Sequence, residues 1–151
     1  MISNTSNVLT LSHPYDIGSN LKLLCDDAHA AIDVVAERID DHFLQAELVQ
    51  FGHQCRRMAI DLRKALFRLD GPDELYSETR ARQWDTALTN RDRFAMLCDV
   101  ETRVKALLES LRAALADWLP KSLEETVQTH YVEVKGMARQ LRVMREMVNP
   151  Y

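Results

Sequence analysis

Turn-forming residues are scarce. Four glycines and four prolines in 151 residues are too few for a turn-rich β-sandwich or a disordered tract. Cysteine is scarce as well, and odd in number: Cys25, Cys55 and Cys98 stand without a CxxC partner. That excludes a disulfide framework and a zinc site built on paired cysteines, and the three read as buried, reduced thiols of a cytoplasmic protein. No apolar run approaches the ~20 residues of a membrane span. Met1 to Asn7 lacks the positive start and the apolar core of a signal peptide. Positive charge is not in excess either: the formal net charge is −4, and no basic run stands out on any one helix face. Nucleic acid is therefore not the expected partner. There is no Gly-rich phosphate loop, no GxSxG, no HExxH and no serine or cysteine with a recognisable base. No catalytic residue can be assigned, and the sequence leans away from an enzyme.

What is present is helical periodicity. The organising stretch is Arg91 to Trp118, where Phe94, Leu97, Glu101, Val104, Leu108, Leu111, Leu115 and Trp118 recur at heptad spacing. Asn90 is its expected N-cap and Pro120 the next breaker. A first helix is predicted from near Ser19, with Leu21, Leu24, Cys25, Ala28, Ile32, Val35 and Ile39 inward and Lys22, Asp26, Asp33 and Glu37 outward. Residues 1–18 are assigned to an N-terminal tail, with His13-Pro14 as a break, and residues 19–151 to the domain. Asp40-Asp41 separates the first helix from a second, whose stripe is Leu44, Leu48, Phe51, Cys55, Met58, Leu62, Leu66 and Leu69; Gly71-Pro72 stops it. Ser122 and Glu125 form an expected capping box for the last helix. Its stripe is Leu123, Val127, His130, Val134, Met137, Leu141, Met144 and Val148.

Short breaks within each pair and the long stretch between Pro72 and Asn90 predict an all-α four-helix bundle of two antiparallel hairpins joined by a long crossover. A short helix carrying Tyr76 and Trp84 is expected in that crossover. An internal duplication agrees: Leu24-Cys25-Asp26 recurs as Leu97-Cys98-Asp99, and Met58-Ala59 with Leu62-Arg63 recurs as Met137-Ala138 with Leu141-Arg142. With Gly71, Trp84 and Leu119-Pro120, these segments make the chain from about Leu21 to Val148 resemble a bacterial family of uncharacterised ferritin-like four-helix-bundle proteins. The resemblance implies a ferritin-like fold. In that family a glutamate follows each cysteine by four residues; here those positions hold His29 and Thr102. No Glu-x-x-His unit of a di-iron centre occurs, and Arg56 and Lys135 occupy the places where such ligands would start. The resemblance therefore implies a degenerate di-iron site.

Glu101 is the sharpest single signal, since a carboxylate inside an apolar stripe loses hydration unless something compensates it. It is either a metal ligand or raised-pKa acid, or a seam-edge residue held by a hydrogen bond or by water, and the second reading is preferred. His29 is expected to face inward and could approach Glu101 across the pseudo-axis. His53 is expected level with His29, which makes His29, His53 and Glu101 the candidate metal set, for iron or another divalent ion. His130 reads as a core histidine at a different height from Glu101, with a phosphotransfer role as a weaker alternative. His13 and His42 read as surface residues. Met58, Met96, Met137, Met144 and Met147 read as core fillers. Val49, Ile60 and Phe67 form a second apolar line on the second helix, predicting a homodimer or higher oligomer, or cover by the crossover. The leading functional expectation is a non-catalytic association module without a cofactor; the alternative is an atypical metal-binding protein.

Overall fold

The computed structural model describes residues 13–70 and 93–148. They form four helices: α1 (Pro14–Arg38), α2 (His42–Asp70), α3 (Arg93–Ala116) and α4 (Lys121–Met147), with no strand among the described residues. This is the all-α four-helix bundle that the four stripes predict. α1 packs on α2 and α3, and α4 packs on α3 and α2, so the four enclose one apolar core. No helix among the described residues is long and apolar enough to cross a membrane.

The helix ends follow local chemistry. α1 starts a full turn before the expected Ser19. Pro14 sits at the first helical position, where its fixed φ suits the helix and its missing N–H is no loss. His13 caps it, its Nδ1 accepting from the Tyr15 amide at 3.2 Å. His13-Pro14 is thus a helix start, not a break. The added turn brings Gly18 against α2, where a Cβ would lie 2.6 Å from Leu66 Cδ2. Between α1 and α2, Asp41 Oδ1 accepts from the Leu44 amide at 2.9 Å, as a helix N-cap does. Gln45 Nε2 donates to the Ala36 carbonyl at 2.6 Å, tying the first turn of α2 to the last of α1. At α4 the expected capping box does not form. The helix already begins at Lys121 with Pro120 as an N-cap that offers no side-chain bond, so Ser122 and Glu125 are surface positions inside it. Asn90, Gly71-Pro72, Tyr76 and Trp84 lie outside the described residues.

The stripes of α2 and α4 are buried as read, with Leu69 and Val148 only half-buried. In α1, Leu24 is half-buried, and Lys22, expected outward, is buried and paired with Asp26 at 3.0 Å. α3 differs more. Its buried set is Met96, Leu97, Val100, Glu101, Val104, Leu107, Leu111 and Ala114. Leu97, Val104 and Leu111 of the expected stripe stay inward, but the flank beside them that is buried is Val100, Leu107 and Ala114, one residue before Glu101, Leu108 and Leu115. Leu108 and Leu115 are half-buried at its edge. Trp118 lies beyond the helix end and is 76% exposed. Met147 is also exposed, whereas the other four methionines of the predicted set are buried.

Candidate functional site

The polar groups taken into the bundle fall into three sets, each at a helix–helix interface. At the start of α3, Glu101 is 4% exposed. Its carboxylate accepts from Arg145 Nε and Nη2 on α4, and Lys105 Nζ, one turn along α3, lies 3.3 Å away. Burial is the largest single influence on this carboxyl and pushes its pKa up. The bonds from Arg145 and Lys105 together outweigh burial and hold it below the usual carboxylate range. Glu101 is therefore an ionised, cation-paired residue and not a raised-pKa acid. Arg145 is the partner that periodicity could not supply: it stands beside the stripe residue Met144, among outward positions.

Halfway along α4, His130 is 3% exposed at its side chain. Its Nε2 lies 3.0 Å from Asp61 Oδ2 on α2, and its Nδ1 lies 3.0 Å from Glu133 Oε1. Glu133 in turn accepts from Arg57 Nη2 at 3.0 Å. A ring protonated at both nitrogens donates to both carboxylates; a ring with one N–H satisfies only one and sets a lone pair against the other. With both nitrogens engaged and the ring buried, His130 offers no free nitrogen to a phosphoryl donor. The third set joins α1 and α3: burial lowers the pKa of the Arg103 guanidinium, and the charges of Asp99 and Asp27 oppose that in part.

The candidate metal residues are not gathered. His29 is half-buried with Nε2 3.4 Å from Asp33 Oδ2, on the side where Gly52 of α2 approaches; a Cβ there would lie 3.8 Å from His29 Cδ2. His53, next to Gly52, is exposed. Glu101 is occupied by two cations. Among the described residues, no three His, Cys, Asp or Glu form a group that could hold a metal, so the donors present do not fit a di-iron centre. Nor does a thiol nucleophile emerge. Burial pushes Cys25 well up, helped by the neighbouring Cys55 and Asp26, and pushes Cys55 up to about 12, helped by Asp33. Both stay protonated and unreactive at neutral pH. Cys98 is half-buried rather than buried.

One surface stands apart. Val49, Ile60 and Phe67 of α2 are exposed by 45%, 46% and 58%. Every basic residue of that helix, Arg56, Arg57, Arg63, Lys64 and Arg68, is exposed as well. No exposed residue from His42 to Arg68 is acidic, although the whole chain carries −4. These bases are interleaved in sequence with the core positions Met58, Leu62, Ala65 and Leu66, so no basic run shows along the chain. Outside the inward stripe, bases and apolar side chains predominate on α2, beside the half-buried acids Glu47 and Asp61, the latter 40% exposed at its side chain. Comparison with family models, with curated proteins and with solved structures gave no match.

Proposed function

We propose that the protein is a non-catalytic helical-bundle module that acts by association, with the outward face of α2 as its binding surface. One observation carries this: a helix face that no other described residue covers, on which large apolar side chains stand among bases. The buried polar residues support the non-catalytic part, because their charges are met by one another. A carboxylate already held by Arg145 and Lys105 would have to shed both cations to take a metal, and His130 is closed on both sides.

In its finer description, the bundle is read as ferritin-like, two antiparallel hairpins joined by a crossover. Contacts at the helix ends support this. Arg93, opening α3, donates to the Asp40 carbonyl just past α1. Phe43, opening α2, lines one surface pocket with Met147 and Val148 at the end of α4. At the other end, Asp16 and Ile17 of α1 share a pocket with Ala114 of α3 and the adjacent Asp117. Such an arrangement makes α2 and α3 parallel, so that their connection must run the length of the bundle, roughly 40 Å for a helix the size of α2.

The association reading requires that Ile60 and Phe67 serve a surface and not the core. Ile60→Ser and Phe67→Ser are each expected to change unfolding stability by no more than about 0.5 kcal/mol, as surface substitutions do. A photoreactive residue at position 67 is expected to crosslink in the intact cell, while one at exposed Ala106 of α3 does not. Losses of about 3–5 kcal/mol, the cost of truncating core residues, would place these side chains in the fold's interior and end the reading.

A further inference from the structure

We propose that the outward face of α4 pairs antiparallel with the same helix of a second copy of this chain. This goes beyond the association reading, since it concerns a different helix and commits to one partner.

Opposite its inward stripe, α4 presents Glu125, Thr129, Val132, Gly136, Arg139 and Val143, all exposed. The steps between them are four, three, four, three and four residues, the spacing by which one helix packs along another. Gly136 stands in the middle of this line. A glycine inside a helix weakens it relative to alanine, and the bundle does not require one here. A Cβ added at Gly136 would meet no atom of the described residues within 4 Å. One turn before it, Val132 is 61% exposed, and two turns after it Val143 is 46% exposed. The gap therefore opens outward, between apolar side chains, where only another chain's backbone can come close.

The charges on this face fit a second copy. Apart from Lys135, the exposed charges of α4 run Lys121, Glu124, Glu125, Arg139, Arg142 and Glu146. That order is one plus, two minus, two plus, one minus. Laid antiparallel on itself, the face sets every charge against its opposite; laid parallel, it sets like against like. The pairs share one centre. Lys121 and Glu146, and likewise Glu125 and Arg142, are spaced evenly about a point between Val132 and Gly136. A two-fold axis there places Val132 over the second copy's Gly136, and Gly136 under its Val132. It also brings the second copy's Arg139 level with Gln128, over a surface hollow lined by Glu124, Glu125, Gln128 and Thr129. Lys135 stays at the edge, its Nζ 5.9 Å from the centre of its own Tyr131 ring. Among the described residues, the six charges form one pair within the chain, Arg142 to Glu146 at 3.5 Å between exposed side chains. A surface of one sign, such as a phosphate backbone or an anionic bilayer, would repel half of this face.

The test is sedimentation of the full chain over a dilution series up to millimolar concentration. One helix from each copy is a small contact beside a stable dimer interface, so reversible dimerisation in the micromolar range is expected, weakening as salt rises. Gly136→Leu closes the gap and should weaken the dimer at least tenfold with helix content unchanged, because the position is exposed. Glu124→Lys with Glu125→Lys should do the same, and so should Arg139→Glu with Arg142→Glu. An equal mixture of these two double variants should recover the dimer, since reversed ends of opposite sign then face one another and unaltered ends do likewise. A chain that stays monomeric at millimolar concentration, a dimer indifferent to Gly136→Leu, or no recovery on mixing would overturn the proposal. A dimer that survives the α4 substitutions but is lost in Ile60→Ser with Phe67→Ser belongs to α2; the α4 pairing is then wrong and the association reading stands.

Discussion

Replacing Arg145 with methionine removes a charge and keeps most of the stem, and it isolates what Glu101 needs. The glutamate is 5% exposed at its side chain, Arg145 is 24% exposed, and Lys105, the remaining cation, is 60% exposed. Breaking a fully buried ion pair costs about 3–5 kcal/mol, because one charge is left without compensation. Lys105 stays 3.3 Å away, and Arg145's position lets some water reach the site, so about 2 kcal/mol is the expected loss. For a chain of this size that is roughly 4–8 °C in Tm. The converse substitution is not symmetrical. Glu101→Leu leaves behind a guanidinium that can turn to solvent, and it adds an apolar side chain between Leu97 and Val104. Its expected effect runs from neutral to about 1 kcal/mol stabilising. The double variant should match Glu101→Leu alone, giving a coupling of about 2 kcal/mol. His29→Ala, by contrast, should be additive with Glu101→Leu, since His29 faces Asp33. Urea denaturation of the variants, with slopes checked for constancy, reads all of this. Additive losses for Glu101→Leu and Arg145→Met, or a Glu101→Leu loss as large as that of Arg145→Met, would refute the asymmetry.

The same pair sets an acid limb. With the Glu101 carboxyl held below its ordinary value of about 4.5, the stabilisation it brings is fully present above the unfolded value and is lost as pH falls through the folded one. Wild-type stability should therefore decline more steeply below about pH 4.5 than that of Glu101→Leu, and parallel acid limbs would show that the carboxylate is not held. Thiol titration with an aromatic disulfide should modify Cys98 first in the native protein, with Cys25 and Cys55 reacting only as fast as the chain opens. Rapid reaction at all three would contradict the burial of the α1–α2 thiols.

Much of the fold was legible because an inward stripe repeats along a whole helix. The stripes of α2 and α4 could be read residue by residue, since each position of a stripe supports its neighbours. The ends were less legible because they depend on single residues with two meanings. His13-Pro14 reads equally as a break and as a capped start, and the close approach of Gly18 to Leu66 that favours the start is a tertiary fact. In α3 the stripe Leu97, Val104 and Leu111 was read correctly, but both of its flanks carry apolar residues at seven-residue spacing. Leu108 and Leu115 were therefore taken in place of Leu107 and Ala114, and Trp118 was placed inward although it lies beyond the helix end. Glu101 was recognisable as a buried carboxylate from its own stripe, but its partner was not. Arg145 and Asp61 meet their buried partners from positions that periodicity marks as outward. The basic face of α2 was hidden for the same reason: a face has no meaning until the opposite face is fixed.

The placement of the buried charges has a physical logic of its own. α1 and α2 are joined by a short turn, and Gly18 and Gly52 let the two backbones come close, so their register is set by the chain and by contact. No charged pair links those helices among the hydrogen bonds and ion pairs described above. α2 and α4 have no such turn. There His130 meets Asp61 across the interface, and Arg57 meets Glu133 from the same helix as Asp61. A slip of α4 by one turn along α2 would carry His130 about 5 Å from Asp61 and leave a buried ring against apolar side chains. The apolar stripes alone would tolerate that slip, because leucine, valine and methionine replace one another at similar cost. The charged pairs do not tolerate it, and this gives α2 and α4 one alignment out of several that would bury similar area. A one-turn slip keeps the same stripe of α2 inward, so the charged pairs set the axial alignment of α4, while the apolar stripe sets which side of α2 carries the exposed Val49, Ile60 and Phe67.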